Sequence, residues 1–148
     1  MWVLVLSQLR NAKSALVNSD SDLARVVISL EKRVNAFELK IDSDCENFIA
    51  LFSPVAIDLR LVLSILKINK TLERIGDFAE GIARFVLLTE NMGTHEALLK
   101  LVRIDEMAGH VETMLEKTLN AFTEENSRQA GMVFSIDNEV DTIYRDDY

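Results

Sequence analysis

Chain breakers are scarce in this sequence: one proline and five glycines among 148 residues. A chain so poor in them sustains long helices. A single cysteine, Cys45, excludes an internal disulfide framework and suits a reducing compartment. Basic residues are outnumbered, 16 against 24 acids, for a net charge of −8. That balance excludes the basic footprint of a nucleic-acid binder and suits a protein that meets cations or basic surfaces. No stretch reaches the ~18 uninterrupted apolar residues of a membrane span. The apolar start, Met1 to Leu6, ends at Ser7-Gln8, with no charged region before it for a signal peptide. A soluble, cytoplasmic protein is expected.

Catalytic signatures are missing too. There is no glycine-rich phosphate loop and no local Ser/His/Asp signature. The two histidines, His95 and His110, each follow a methionine by three residues, Met92 and Met107. That excludes the Glu-x-x-His pairs of ferritin-like di-iron sites. Cys45 has no nearby histidine and reads as a small buried core residue. An enzyme is not expected.

What is present is helical patterning. The chain is 49% hydrophobic and 27% charged, ordinary for a folded protein. Its length allows one compact core or two small bundles. Apolar residues recur at steps of three and four in three long segments: Leu23 to Ile41, Leu61 to Val86, and Leu101 to Phe122. This is the stripe of amphipathic helices packed at shallow angles. Sustained period-two alternation is absent, so no sheet is expected. Polar joints fall at Ser19-Asp20-Ser21, Ser53-Pro54, Gly93-Thr94 and Glu125-Asn126-Ser127. Ser53 is placed as a capping hydroxyl before a proline in the first helical position. Gly93-Thr94 suits one helix end and the next helix start. Five helices follow, over about 2–18, 21–52, 54–90, 95–123 and 127–146. The joints are short, so neighbours should run antiparallel.

An internal repeat is visible at an offset of 106 residues. Glu31 to Asn35 then lies over Asp137 to Asp141, and Ala15, Val27 and Val34 over Ala121, Val133 and Val140. Core positions match core positions.

Two helices carry clustered acids. Glu31, Asn35, Glu38 and Asp42 follow steps of four, three and four; Glu73, Asp77 and Glu80 follow four and three. At 100° per residue each row projects from one side of its helix. The second row points away from the stripe of Leu72, Ile75 and Ala79. Such rows repel by a few tenths of a kcal/mol per pair, which a cation would reverse. Carboxylates with an amide carbonyl suit magnesium, calcium or manganese, and iron and zinc also accept carboxylates. Spacing alone favours a solvated helix face, because Glu-x-x-x-Asp is common in acidic helices.

The segment Ser53-Pro54-Val55-Ala56-Ile57-Asp58-Leu59-Arg60, followed by Leu72-Glu73-Arg74-Ile75-Gly76-Asp77-Phe78-Ala79-Glu80-Gly81-Ile82-Ala83, closely resembles the PhoU family. That family shows P-x-A-x-D-L-R and then L-E-R-I-G-D-x-A-x-x-I. Glu31-x-x-Val34-Asn35 resembles its D-x-x-V-N. Together the motifs span about fifty residues in the right order. The resemblance implies an all-α fold of tandem three-helix bundles, here a first repeat over 1–92 and a second over 93–148 without its final helix. It implies metal binding on the acidic faces, with iron, zinc, magnesium or manganese as candidates. Glu73 and Asp77 would be the leading ligands, with Glu31 and Asn35 from the preceding helix. Asp137 and Asp141 would begin a second site. Asp58, Arg60 and Glu80 would be binding or partner contacts, although Asp58 reads equally as a cap-region acid favoured by the helix dipole and paired with Arg60.

The resemblance further implies a negative regulator of phosphate transport and phosphate-starvation signalling. It would act by contact with the phosphate ABC transporter ATPase and a phosphate-sensing histidine kinase, meeting the membrane only through them. Two other readings stay open: a PhoU-like domain of a sodium–phosphate cotransporter, and a metal-free helical interaction module.

The sequence departs from the family in three places. Glu31 stands where Asp is usual. The opening stretch is short before Met1. The second repeat's acids would fall near 179 and 183, beyond Tyr148. A truncated chain is expected, with exposed apolar faces on its last two helices and self-association, as a homodimer or other homo-oligomer, to cover them.

Overall fold

A computed structural model describes residues 1–90 and 103–147 of the chain. Among the described residues there are five helices and no strand: α1 Trp2–Asn18, α2 Ser21–Phe52, α3 Ala56–Leu88, α4 Ile104–Thr123 and α5 Ser127–Asp147. The expected joint at Gly93-Thr94, the 92/93 domain boundary, a helix start at 95, His95 and Leu101 lie outside the described residues.

The bounds of α1 and α2 fall where the capping chemistry puts them. Asp20 caps α2, its carboxylate accepting from the Leu23 amide at 2.9 Å. At the next joint the expectation fails. Ser53 is not an N-cap; it closes α2 in the left-handed region, φ 44°. Pro54 stays outside α3, which begins at Ala56 without a side-chain cap. Proline disfavours helical geometry in the residue before it, here the C-cap of α2. The chain therefore spends three residues on turning before α3 starts.

The first three helices form a bundle with antiparallel neighbours. Its seam is built from small residues: Ala12 and Ala15 of α1, Ala24 and Val27 of α2, and Ala79, Ala83 and Val86 of α3. Methyl-sized side chains let the three backbones approach closely, and each alanine here is fully buried. Further along, Val5, Val34 and Leu72 continue the core beneath Met1, Trp2, Leu4, Ile68 and Ile75. Beyond that layer α1 has ended, and α2 and α3 run on as a two-helix hairpin. Phe48, Phe52, Val55, Ile57 and Leu61 of that hairpin are exposed.

The repeat holds at the level of backbone geometry. Ser19 and Glu125 both sit in the left-handed region at φ 52°. Asp20 N donates to Ala15 O, and Asn126 N donates to Ala121 O. Asn126 Oδ1 then accepts from Gln129 N at 3.0 Å, as Asp20 does for Leu23. All these pairs are separated by 106 residues. The joint before α2 is thus built a second time before α5.

The α4–α5 pair packs along α1. Trp2 stacks on Phe122 with centroids 6.3 Å apart. Arg10 pairs with Glu112 and Glu116, and Lys13 pairs with Asp105 at 2.9 Å. A groove of about 420 Å³ remains between the pair and α3, lined by Ile68, Leu72, Met114, Leu115, Val133 and Val140 among others. As expected, apolar side chains on the pair are uncovered, with Phe134 71% exposed.

The alanine seam makes a direct prediction. Ala79→Leu forces three extra carbons between fully packed helices and should cost about 1–3 kcal/mol. Urea unfolding should show a lower midpoint, with the helical signal intact in water.

Candidate functional site

The acids of α2 and α3 meet along one seam, in three layers about 16 Å long in all. The innermost layer joins all three helices of the bundle. Gln8 of α1 is fully buried, and its Nε2 donates to Glu31 Oε2 at 2.8 Å and to Val27 O at 3.3 Å. Glu31 of α2 is only 5% exposed. Gly76 of α3 makes room for both: a Cβ there would lie 3.2 Å from Gln8 Oε1, from Glu31 Oε2 and from Val34 Cγ1. Gln8 Oε1 and Glu31 Oε1 are buried and accept no hydrogen bond among the described residues.

In the second layer Lys70 of α3 bridges the helices. Its Nζ lies 3.0 Å from Glu38 Oε1 on α2 and 2.9 Å from Glu73 Oε2 on α3. The pair with Glu73 is an ion pair by distance, although its angles fall outside those of a hydrogen bond. The outermost layer is Asn69, buried, whose Nδ2 donates to Glu38 O at 2.9 Å and to Asp42 Oδ1 at 2.8 Å.

The expectation that Glu73, Asp77 and Glu80 simply face solvent needs revision. Asp77 is exposed, but the side chains of Glu73 and Glu80 are only 13% and 20% exposed. Glu80 pairs with Arg84 at 2.7 Å. Asp77 has no ion pair among the described residues.

Charge crowding follows. Burial pushes the Glu31 carboxyl above its ordinary value, and the charges of Asp77, Glu80 and Glu73 add to that against the Gln8 hydrogen bond. Desolvation likewise raises Asp77, helped by Glu73, Glu80 and Glu38 and opposed by Lys70. The close pairing with Glu73 and Glu38 raises Lys70 above the ordinary lysine value.

The other candidate residues lie elsewhere. Asn35 is exposed on α2, one turn from Glu31. Asp58 and Arg60 are exposed in the first turns of α3, roughly 20 Å along the helix from Glu73. Among the described residues they form no ion pair, so the pairing expected of them is not made. Asp137 and Asp141 are exposed on α5, with Asp137 at the groove beside Lys67. The structure does not bring either group to the α2–α3 seam. His110 is partly exposed, with Nδ1 3.3 Å from Glu139 Oε2.

Pattern reading passed over Gln8, Asn69 and Lys70. Gln8 and Asn69 each break an apolar stripe, Val5 to Ala12 and Val62 to Leu72. A polar side chain at such a position signals a partner inside the bundle.

For a metal ion, the donor chemistry fits a hard cation: carboxylates, with Glu31 Oε1 lacking a donor and Asp77 lacking a cation. Among the described residues no three acid, histidine or cysteine side chains close around one ion. Magnesium keeps several waters and needs only one or two carboxylates, which suits an open row of this kind.

Fold and seam together define an all-helical bundle protein with a shared acidic face between two helices. Comparison with known proteins places it further. The PhoU domain profile matches residues 1–86 and 104–146. The chain is 40% identical to the phosphate-specific transport system accessory protein PhoU of Escherichia coli, and 39% identical to that of Edwardsiella tarda, over 97% of its length in each case. It spans 58% of those relatives. The crystal structure of PhoU from Pseudomonas aeruginosa superposes with a TM-score of 0.91 at 34% identity, covering 98% of this chain and 68% of that one. PhoU from Streptococcus pneumoniae gives 0.85 at 29% identity, covering 97% and 66%. The chain belongs to the PhoU family.

Two predictions test the inner layer. Gly76→Ala gains about 1 kcal/mol in helix propensity but presses a methyl on a pinned polar pair. A net loss of about 1–2 kcal/mol is expected in urea unfolding. Gly81→Ala, with nothing within 4 Å, should instead stabilise by about 0.5–1 kcal/mol. The pH dependence is the second test. A carboxyl raised in the folded state is protonated there first, so the fold gains stability as pH falls from 7 toward the unfolded value near 4.5. Glu31→Gln removes a buried charge facing Glu73, Asp77 and Glu80. Its Tm at pH 7 should exceed that of the parent, and the difference should shrink by pH 5 in metal-free calorimetry.

Proposed function

We propose that this chain regulates phosphate transport negatively, damping phosphate-starvation signalling when phosphate is plentiful. It does so without catalysis, by contact with the phosphate ABC transporter ATPase and a phosphate-sensing histidine kinase. The observation that carries this reading is the α2–α3 seam, where Glu31, Glu73, Asp77 and Glu80 stand together at the family's motif positions in the family's fold. The names of the curated relatives support the transport-system side of it.

In this reading the acidic face holds a cation. Glu73 and Asp77 are the leading ligands, and Glu31 and Asn35 supply oxygens from α2. Magnesium or manganese suits the open oxygen-only row better than iron or zinc. Asp137 and Asp141 serve a second face on α5, and Asp58 and Arg60 serve partner contact at the start of α3. The protein works in the cytoplasm as a homo-oligomer and reaches the membrane through its partners. No described helix is long and apolar enough to cross a membrane.

A second reading, a helical interaction module without metal, is favoured by the lack of a closed three-ligand cluster among the described residues. One experiment separates them. A phosphate-starvation reporter in the source organism, grown in high phosphate, should be silent with the parent gene. It should switch on when the gene is deleted, and again with Glu73→Gln plus Asp77→Asn. A silent reporter on deletion would overturn the regulatory role. Repression that survives the double substitution would leave the metal-free module.

A further inference from the structure

The acidic face already carries a cation of its own. Lys70 stands on α3, yet its Nζ contacts acids on both helices: Glu38 Oε1 at 3.0 Å and Glu73 Oε2 at 2.9 Å. The two carboxylates are mostly covered, with side chains 16% and 13% exposed, whereas the Lys70 stem is 62% exposed. The arrangement is an outer arm laid across a largely covered acid pair. Among the described residues, Lys67 and Arg74 make no ion pair with these acids. Arg84 pairs with Glu80 within α3 and does not cross the seam. Lys70 is therefore the basic residue that ties Glu38 to Glu73.

A second, independent observation points to what the row can take beyond this lysine. Glu31 is 95% buried, and its Oε1 accepts no hydrogen bond among the described residues. Across the seam on α3, next to the Gly76 that packs on Glu31, Asp77 has no ion pair among them. Lys70 thus pairs at one end of the row and Arg84 at the Glu80 end, and the Glu31–Asp77 stretch between them has no ion pair. A divalent ion drawn to that stretch would add two charges next to an ammonium group on the same face. Glu73 cannot serve the ion fully while Lys70 holds it.

We propose that Lys70 is a resident counter-cation that competes with divalent metal ions for the acidic α2–α3 face and sets how tightly that face binds them. The inference rests on the cation reading of this face. Its stem is exposed and flexible, so Lys70 leaves by swinging into solvent, with no rearrangement of the helices. The ion replaces an ammonium with a point charge twice as large, and the displaced lysine remains nearby as a repulsive neighbour. The face is consequently a weaker metal site than its acids alone would make it, and it stays stable when metal-free.

The test uses the full chain, freed of metal, titrated with Mn²⁺ in a calorimeter. Lys70→Met keeps the aliphatic stem and removes the charge. It should bind Mn²⁺ about five- to tenfold tighter than the parent, the range expected for losing two partly covered ion pairs. Lys40→Met is the control, because it removes the same charge from the same bundle, where Lys40 pairs with Asp44 instead. Its affinity should stay within about twofold of the parent. Thermal melts give a readout independent of titration. Metal-free Lys70→Met should melt below the parent, and Mn²⁺ should raise its Tm by more than it raises the parent's. Far-UV circular dichroism checks that the helices are intact, and Lys70→Gln replaces the Met variant if that one fails to fold. Should Lys70→Met bind no tighter than Lys40→Met, competition by Lys70 is overturned while the cation reading stands. Should no variant bind Mn²⁺ at millimolar concentration, both fall, and the reporter assay still decides the regulatory role.

Discussion

The hydrogen bond from Gln8 to Glu31 is the contact on which the seam depends. It joins α1 to α2 in a layer that α3 can enter only because residue 76 has no side chain. A buried polar pair of this kind fixes register, since sliding any helix by a turn would strand a carboxylate among valines and alanines. With register fixed, the acids of α2 and α3 are forced onto a common edge. The same bond that orders the bundle therefore concentrates negative charge along it.

That concentration has a cost, visible in the upward push on Glu31 and Asp77. The fold meets part of it with bases placed at intervals along the row, Lys70 at one end and Arg84 at the other. The alanine seam below tightens the crowding, because close backbones bring long acidic side chains closer together. Stability and charge are thus opposed in one element. Small residues supply the packing that holds the acids against their mutual repulsion.

Much of this was legible in the sequence. The bounds of α1 and α2 followed from Asp20, Ser21 and an unbroken stripe, and the repeat was visible from paired core positions. Its sharper form, a left-handed residue followed by a capping Asx at both 19–20 and 125–126, needed backbone angles. Pro54 misled because a proline suits a first helical turn in general, while here the residue before it had to close α2. The acid rows were legible as rows. Their depth was not, since α2 and α3 shield Glu73 and Glu80 only in the register that Gln8 sets. Lys70 lies three residues before Glu73, a visible pair, but its reach to Glu38 crosses a helix boundary that no periodicity encodes.

The hairpin beyond α1 gives the lone thiol a use. Cys45 lies on the two-helix portion of α2, 8% exposed, and lines an apolar groove with Ile41, Phe48 and Val62. Burial, with Asp42 and Asp44 nearby, pushes its thiol up and keeps it poorly nucleophilic. With 8% of its surface exposed, the thiol reacts slowly with an alkylating reagent while α2 and α3 are paired, and should react faster when their ends part. The chain therefore carries its own kinetic probe: a rise in the labelling rate of this one cysteine, at conditions where the alanine-packed bundle stays folded, would report local parting of the hairpin.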